Sequence, residues 1–164
     1  MNCIHIDPKS LVRLLTVFRD HGQFLFTQLV DIVAVDYLDR KERFEVIYHL
    51  LSHKYNQRLF VKINVADNQP VQTLCDVFVN ANWYEREVFD LMGIYFLDHP
   101  DLRRLLTDYQ FSGHPLRKDF PLSGYTQVYY NKKEGKVDSE PVHFTQDYRD
   151  FDYISNWESV LNNK

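Results

Sequence analysis

Three charged clusters and two cysteines hold the side chains that could do chemistry in this 164-residue chain. The first is Glu85-Arg86-Glu87 with Asp90. Two close carboxylates suit a metal clamp or an acid–base pair, but positions i and i+2 of a helix point apart and do not converge on one ligand. The spacing better fits acids placed early in a helix, with Arg86 and Asp90 pairing across one turn. The second cluster is His99, Pro100, Asp101, Arg103 and Arg104, and the third is His114, Pro115, Arg117, Lys118, Asp119 and Pro121. Their cations beside Gly and His invite an anion, yet neither stretch has the spaced glycines of a phosphate-cradling loop. No serine elbow or paired-histidine metalloprotease motif occurs. Cys3 and Cys75 are too few for a zinc site or an iron–sulfur cluster by themselves, and His99 and His114 have no cysteine near them in sequence. The expectation is no metal, two reduced thiols, and Arg and His side chains bound to backbone carbonyls and partner carboxylates.

The elements that would position these clusters follow from hydrophobic period and punctuation. Asp7 and Pro8 suit a helix start, Leu11, Leu14, Leu15 and Phe18 recur at helical spacing, and His21-Gly22 ends the run. Residues 29–37, 44–52 and 59–66 are rich in β-branched side chains and read as strands. The last two form an antiparallel hairpin across residues 53–58. Residues 71–79 read as either a short helix or a strand, with the helix favoured. Asn82 is expected to cap a further helix in which Tyr84, Val88, Leu91 and Met92 share a face, and Gly93 falls where a left-handed C-cap belongs. Helix, strands and helix without strict alternation define an α+β class, a two-layer domain with a small mixed sheet.

Composition changes near residue 107. Residues 1–106 contain 35 Ile, Leu, Val or Met, whereas residues 107–164 contain eight but hold eleven of the 25 aromatics. Such a segment has too little aliphatic material for its own core, while its rings suit an interface. The expected division is a compact domain, residues 1–106, and an extended aromatic-rich C-terminal tail, residues 107–164, that wraps a partner. A wrap over its own domain is the competing reading. Acids outnumber Lys plus Arg, giving a net charge of −4, which argues against a nucleic-acid binder. No apolar run approaches the roughly 20 residues of a membrane span. The first residues resemble neither a secretory signal nor a transit peptide, and Met1 favours synthesis in the compartment where the protein works.

Three stretches then carry a resemblance: WYEREVFDLMGIYF (residues 83–96), HPDLRRLLTDY (99–109) and GHPLRKDFPLSGY (113–125). Together they resemble the thirty-kilodalton subunit family of respiratory complex I, called the C subunit in bacteria and subunit nine when mitochondrially encoded. DIVAVDYL (31–38) and DYRDFDYISNWE (147–158) match more loosely. The resemblance implies a cofactor-free subunit of the hydrophilic arm, lying against the large subunit that resembles nickel hydrogenases. Flavin and iron–sulfur clusters would belong to partner subunits. It further implies a peripheral place on the matrix side of the mitochondrial inner membrane, and organelle encoding. Glu85, Arg86, Glu87, Asp90, Gly93, His99, Pro100, Arg103, Arg104, His114, Pro115, Arg117, Lys118, Asp119 and Pro121 carry over as architectural positions. Plastid and hydrogenase-linked relatives share the first motif. The chain departs from the pattern at Gln110, where glycine is expected, and at TQVYYN (126–131), where three expected charges are neutral.

Two other functional classes compete. A free-standing enzyme would use His114, Arg117 and Asp119 on an anionic substrate. A nucleic-acid module would use Arg103, Arg104, Arg117 and Lys118 with tyrosines as stacking surfaces, and would bind with steep salt dependence.

Overall fold

The computed structural model describes residues 2–146 and 148–149. The closing motif at 147–158 lies almost wholly outside them. The chain divides into two compact units, Met1–Leu122 and Ser123–Lys164.

Unit one contains a four-stranded sheet made from β1 (Asn2–His5), β2 (Gln28–Asp36), β3 (Phe44–Ser52) and β4 (Gln57–Val65), in the order β1-β4-β3-β2. The β2–β3 and β3–β4 pairs are antiparallel, and β1 runs parallel to β4, so the sheet is small and mixed. Side chains alternate across a pleated strand. Val46, Tyr48 and Leu50 of β3 and Leu59, Val61 and Ile63 of β4 accordingly enter one core. They meet Leu11 and Leu15 of α1 (Leu11–Asp20) and Ala81, Val88 and Met92 of α2 (Ala81–Met92). This is the expected α+β class. The Asp7 carboxylate accepts from Lys9 N at 2.8 Å and caps a single 3-10 turn, Pro8–Ser10, ahead of α1.

Three local expectations change. Residues 71–79 are not a helix. Val71–Gln72 is strand β5, parallel to β6 (Phe96–Leu97), and a turn follows. Val71, Leu74 and Phe78 are all buried, so their spacing imitates a helical face. Backbone donors there find tertiary partners instead: Val71 N bonds Tyr95 O, Thr73 N bonds Leu97 O and Leu74 N bonds the Glu85 carboxylate. Second, Asn82 does not cap α2. Asn80 holds the N-cap position with helical torsions, and its Nδ2 donates to Leu29 O at 2.6 Å. Third, β1 pairs with β4 where no strand was expected.

The segment at 107–122 belongs to unit one, so the compact body extends past the composition break at 106. Its polar groups bond α2 and β2, as described below, so the wrap over its own domain holds for this stretch. In unit two, β7 (Thr126–Asn131) and β8 (Lys136–Pro141) form an antiparallel hairpin where only extended chain was expected. The neutral residues of TQVYYN are used across it: Gln127 Nε2 donates to Glu140 at 2.7 Å and Asn131 Nδ2 to Asp138 at 2.9 Å. The expected glycine is not needed at Gln110, which lies in a turn closed by Phe111 N to Asp108 O without positive φ.

Candidate functional site

The last turn of any α-helix leaves carbonyl groups without intrahelical donors. In α2 these groups are met by the basic residues of the second and third motifs. His114 Nδ1 lies 2.9 Å from Asp90 O, Leu116 N donates to Leu91 O at 3.0 Å, and Arg117 Nε donates to Met92 O at 2.7 Å. Arg104 Nη2 donates to Gly113 O at 3.0 Å, fastening the third motif to the second. Gly93 ends the helix at φ +74°, the left-handed C-cap expected from sequence. Cations at a helix C-terminus also oppose its negative dipole end.

Asp90 is the centre of this clamp. Fully buried, its carboxylate accepts from Arg104 Nη1 at 2.8 Å, from Leu105 N at 3.1 Å, from Leu106 N at 2.7 Å, from Thr107 N at 2.8 Å and from the Thr107 hydroxyl. Burial alone would raise its pKa. The Thr107 donors, Arg104 and the Leu106 amide outweigh burial and hold the group well below the usual carboxylate range. Asp90 therefore pairs with Arg104, not with Arg86 as the helical spacing suggested. Arg86 donates to the carbonyls of Arg103 and Arg104 and lies over the Trp83 ring.

A second knot joins the third motif to the sheet. Asp36, buried at the end of β2, accepts two bonds from Arg43, at 2.7 and 2.8 Å, and one from Lys118 N at 2.9 Å. Arg43 Nη1 reaches Asp119 at 3.1 Å, and Arg117 Nη2 reaches Asp67 at 3.4 Å. Asp36, Arg43, Asp67 and Thr107 were not singled out from sequence. For Asp36 a signal existed, since an acid at an inward strand position needs a partner.

Glu85 is not an acid of the first helical turn, where α2 has none. It is fully buried, accepting from Leu74 N at 2.7 Å and from the Thr73 hydroxyl. Burial pushes its pKa up to about 7, only partly offset by the Thr73, Leu74 and Cys75 donors. Cys75 Sγ lies 3.8 Å and His99 Nε2 4.0 Å from the same carboxylate oxygen. Cys75 is thus spatially close to His99 although remote in sequence. Glu87, Pro100 and Pro121 are exposed and join none of these clusters, while the exposed Arg103 pairs with Asp101 and its carbonyl accepts from Arg86. Pro115, between His114 and Leu116, is half-buried.

Such geometry removes the enzyme reading built on His114, Arg117 and Asp119. All three are occupied, by the Asp90 carbonyl, the Met92 carbonyl and Arg43 respectively. Of the four cations in the nucleic-acid reading, Arg104 and Arg117 bind α2, and Arg103 pairs with Asp101 at 2.8 Å.

Gly93 provides a direct prediction. An added Cβ would meet His114 Cδ2 at 2.5 Å and Arg117 Nη2 at 2.8 Å, at a φ that L side chains rarely adopt. Gly93→Ala is expected to cost about 1–3 kcal/mol from backbone strain alone, read as a lower urea midpoint with an unchanged m-value. An unaltered midpoint would contradict the clamp geometry.

A small α+β platform whose most distinctive charged residues tie down its own chain defines a structural subunit, not a free-standing enzyme. The chain belongs to the family described as respiratory-chain NADH dehydrogenase, 30 Kd subunit, whose pattern matches residues 4–126. It is 52% identical over 155 residues to the C subunit of the NADH-quinone oxidoreductase of Methylobacterium sp. (strain 4-46), covering 94% of this chain and 72% of that one. It is 46% identical over 157 residues to NADH-ubiquinone oxidoreductase subunit 9 of Reclinomonas americana, covering 96% and 77%. A chain in the membrane-bound sulfane sulfur reductase, an archaeal respiratory membrane complex, shares the fold with a TM-score of 0.67 at 24% identity, covering 93% of this chain and 84% of that one.

Proposed function

We propose that this chain is a cofactor-free scaffold in the hydrophilic arm of the proton-pumping NADH:quinone oxidoreductase, bound chiefly to the nickel-hydrogenase-like large subunit. Flavin and iron–sulfur clusters are then carried by partner subunits. The complex would sit in the mitochondrial inner membrane, with this chain peripheral on the matrix side. Among the described residues no helix is long and apolar enough to cross a membrane, which is consistent with peripheral attachment.

One observation carries the reading: the motif side chains best suited to chemistry are spent on architectural bonds. His114, Arg117 and Arg104 bind α2, and Asp119 binds Arg43. Large exposed side chains remain on unit one, among them Trp83, Tyr95, Leu106 and Tyr109. Trp, Tyr and Arg dominate the energetics of protein interfaces. A scaffold of this kind acts indirectly, by holding redox neighbours where displacements of about an angstrom slow transfer.

The test is co-isolation of the tagged chain from respiratory membranes in mild detergent. The large hydrogenase-like subunit is expected in one-to-one ratio, with cross-links near the exposed Trp83, Leu106 and Tyr109. Recovery of the chain as a lone monomer from membranes with active NADH:quinone oxidoreductase would overturn the proposal.

A further inference from the structure

β2 is an end strand of the four-stranded sheet, and α2 packs against it. We infer that its free edge docks a short extended segment of a neighbouring subunit, apolar and basic in character, which adds to the sheet as a further strand. The scaffold reading above supplies the source of that segment.

Backbone groups along an end strand alternate between those bonded inward and those facing out. Tyr37 N donates to Arg43 O, continuing the β2–β3 ladder, so Val33 and Val35 bond inward while Ile32 and Ala34 face outward. Both ends of the free edge are already covered. Leu29 O accepts from Asn80 Nδ2 at 2.6 Å, and the Asp36 carboxylate holds Lys118 N at 2.9 Å. Between them, Ile32 N donates at 2.8 Å to the carboxylate of its own neighbour, Asp31. That carboxylate stands in for the carbonyl of a fifth strand. Ile32 O and both backbone groups of Ala34 face the same side with no strand to meet them. Exposed edges are usually blunted by Lys, Pro or a bulge. The bulge of β2 lies between Leu29 and Asp31, and residues 32–36 contain no Lys or Pro.

A groove of about 100 Å³ runs beside this edge. Ile32, Val88 and Met92 form its buried floor, and Leu91 and the exposed Leu116 form its wall. Its size suits an aliphatic side chain and falls well short of the roughly 300–1,000 Å³ of small-molecule sites. Asp31 and Glu87 also line the groove, and neither has a cationic partner among the described residues.

These two acids select among occupants. A second copy of the chain, paired edge to edge, would bring the same acids against each other, and like charges across a strand pair are destabilising. An anionic membrane surface would be repelled. A strand carrying Lys or Arg beside its apolar residue meets both acids. Its carbonyl replaces the Asp31 carboxylate on Ile32 N, and the released carboxylate then accepts from the incoming cation. In strand addition the main-chain bonds supply affinity, and the side-chain pockets choose the partner.

Amide hydrogen exchange at residue resolution, on the isolated full-length chain and on the intact NADH:quinone oxidoreductase, tests the site. The Ala34 amide is expected to exchange at least about tenfold more slowly in the complex. Two variants are then co-expressed with the parent chain. Ala34→Pro removes an outward N–H while leaving the ladder to β3 intact, and Glu87→Lys reverses the charge of the groove. Each is expected to lower its share of the chain recovered in the complex by at least about fivefold. Circular dichroism checks the fold of each variant, and the exposed Glu87 position decides the matter if Ala34→Pro does not fold. An Ala34 amide that exchanges equally in chain and complex overturns the proposal, as does parental recovery of Glu87→Lys. Either result leaves the scaffold reading standing, whereas a chain that never co-isolates with the complex removes both.

Discussion

Asp90→Ala is expected to destabilise the protein by about 3–5 kcal/mol, the range for leaving a buried charge without its partner. The carboxylate collects five donors from residues 104–107. Alanine would leave three backbone N–H groups and the Arg104 guanidinium without that acceptor, each carrying a desolvation penalty. Against a typical total of about 5–15 kcal/mol, this is about a fifth of the stability or more. The loss should be local first, because the stretch after residue 104 is held to α2 through this carboxylate. Amide exchange at Leu106 and Thr107 should accelerate by about a hundredfold or more, while β3 and β4 stay protected until global unfolding. Equal protection in both proteins would show that the clamp does not hold the segment. The carboxylate is held below its ordinary range, so its contribution is present above the unfolded value of 3.8 and fades as pH falls below it.

Glu85→Gln is expected to act with the opposite pH sign. Glu85 titrates at about 7 in the folded chain against 4.5 for the ordinary group. Between those values the folded state holds a proton that the unfolded state has released, so stability falls as pH rises. A carboxyl moved from 4.5 to about 7 costs about 3 kcal/mol above pH 7, relative to an unshifted group. Glutamine stays neutral at all pH values and can still accept from Leu74 N. The variant should therefore match the parent near pH 4.5 and exceed it by up to about 3 kcal/mol at pH 8. Urea unfolding from pH 4.5 to 8 checks this, and parallel curves for the two proteins would refute the buried-carboxyl account. The Asp90 window lies lower, so the two effects separate.

The difference between these two acids also shows what could be read from sequence. Both sit in one helical motif, and the resemblance marked both as architectural positions. Spacing along α2 suggested an Arg86–Asp90 pair and an early-turn acid at Glu85 favoured by the helix dipole. Tertiary partners decided otherwise: Arg104, fourteen residues on, takes Asp90, and the turn after β5 closes over Glu85. Elements with strong local signals were legible, namely α1, the β3–β4 hairpin, β2 and the Gly93 cap. β1 was not, because its four residues are all exposed and carry no alternation of burial. β5 and β6 are two residues each and exist only through each other. Their pairing is also what brings Cys75 close to His99, a proximity that linear spacing does not show. The composition break at 107 was real but was not a boundary. The segment 107–122 has only two aliphatic residues of the Ile, Leu, Val and Met set, Leu116 and Leu122, and polar bonds to α2 and β2 tie it down.

Arg117 fixes the third motif to the body of the chain, since its guanidinium caps α2 and reaches Asp67. The decisive measurement is NADH:quinone turnover per assembled complex in Arg117→Glu, alongside complex abundance on blue-native gels. A scaffold role predicts sharply reduced abundance with near-normal turnover in each complex that forms. Normal abundance with inactive complexes would mean that this chain takes part in the chemistry.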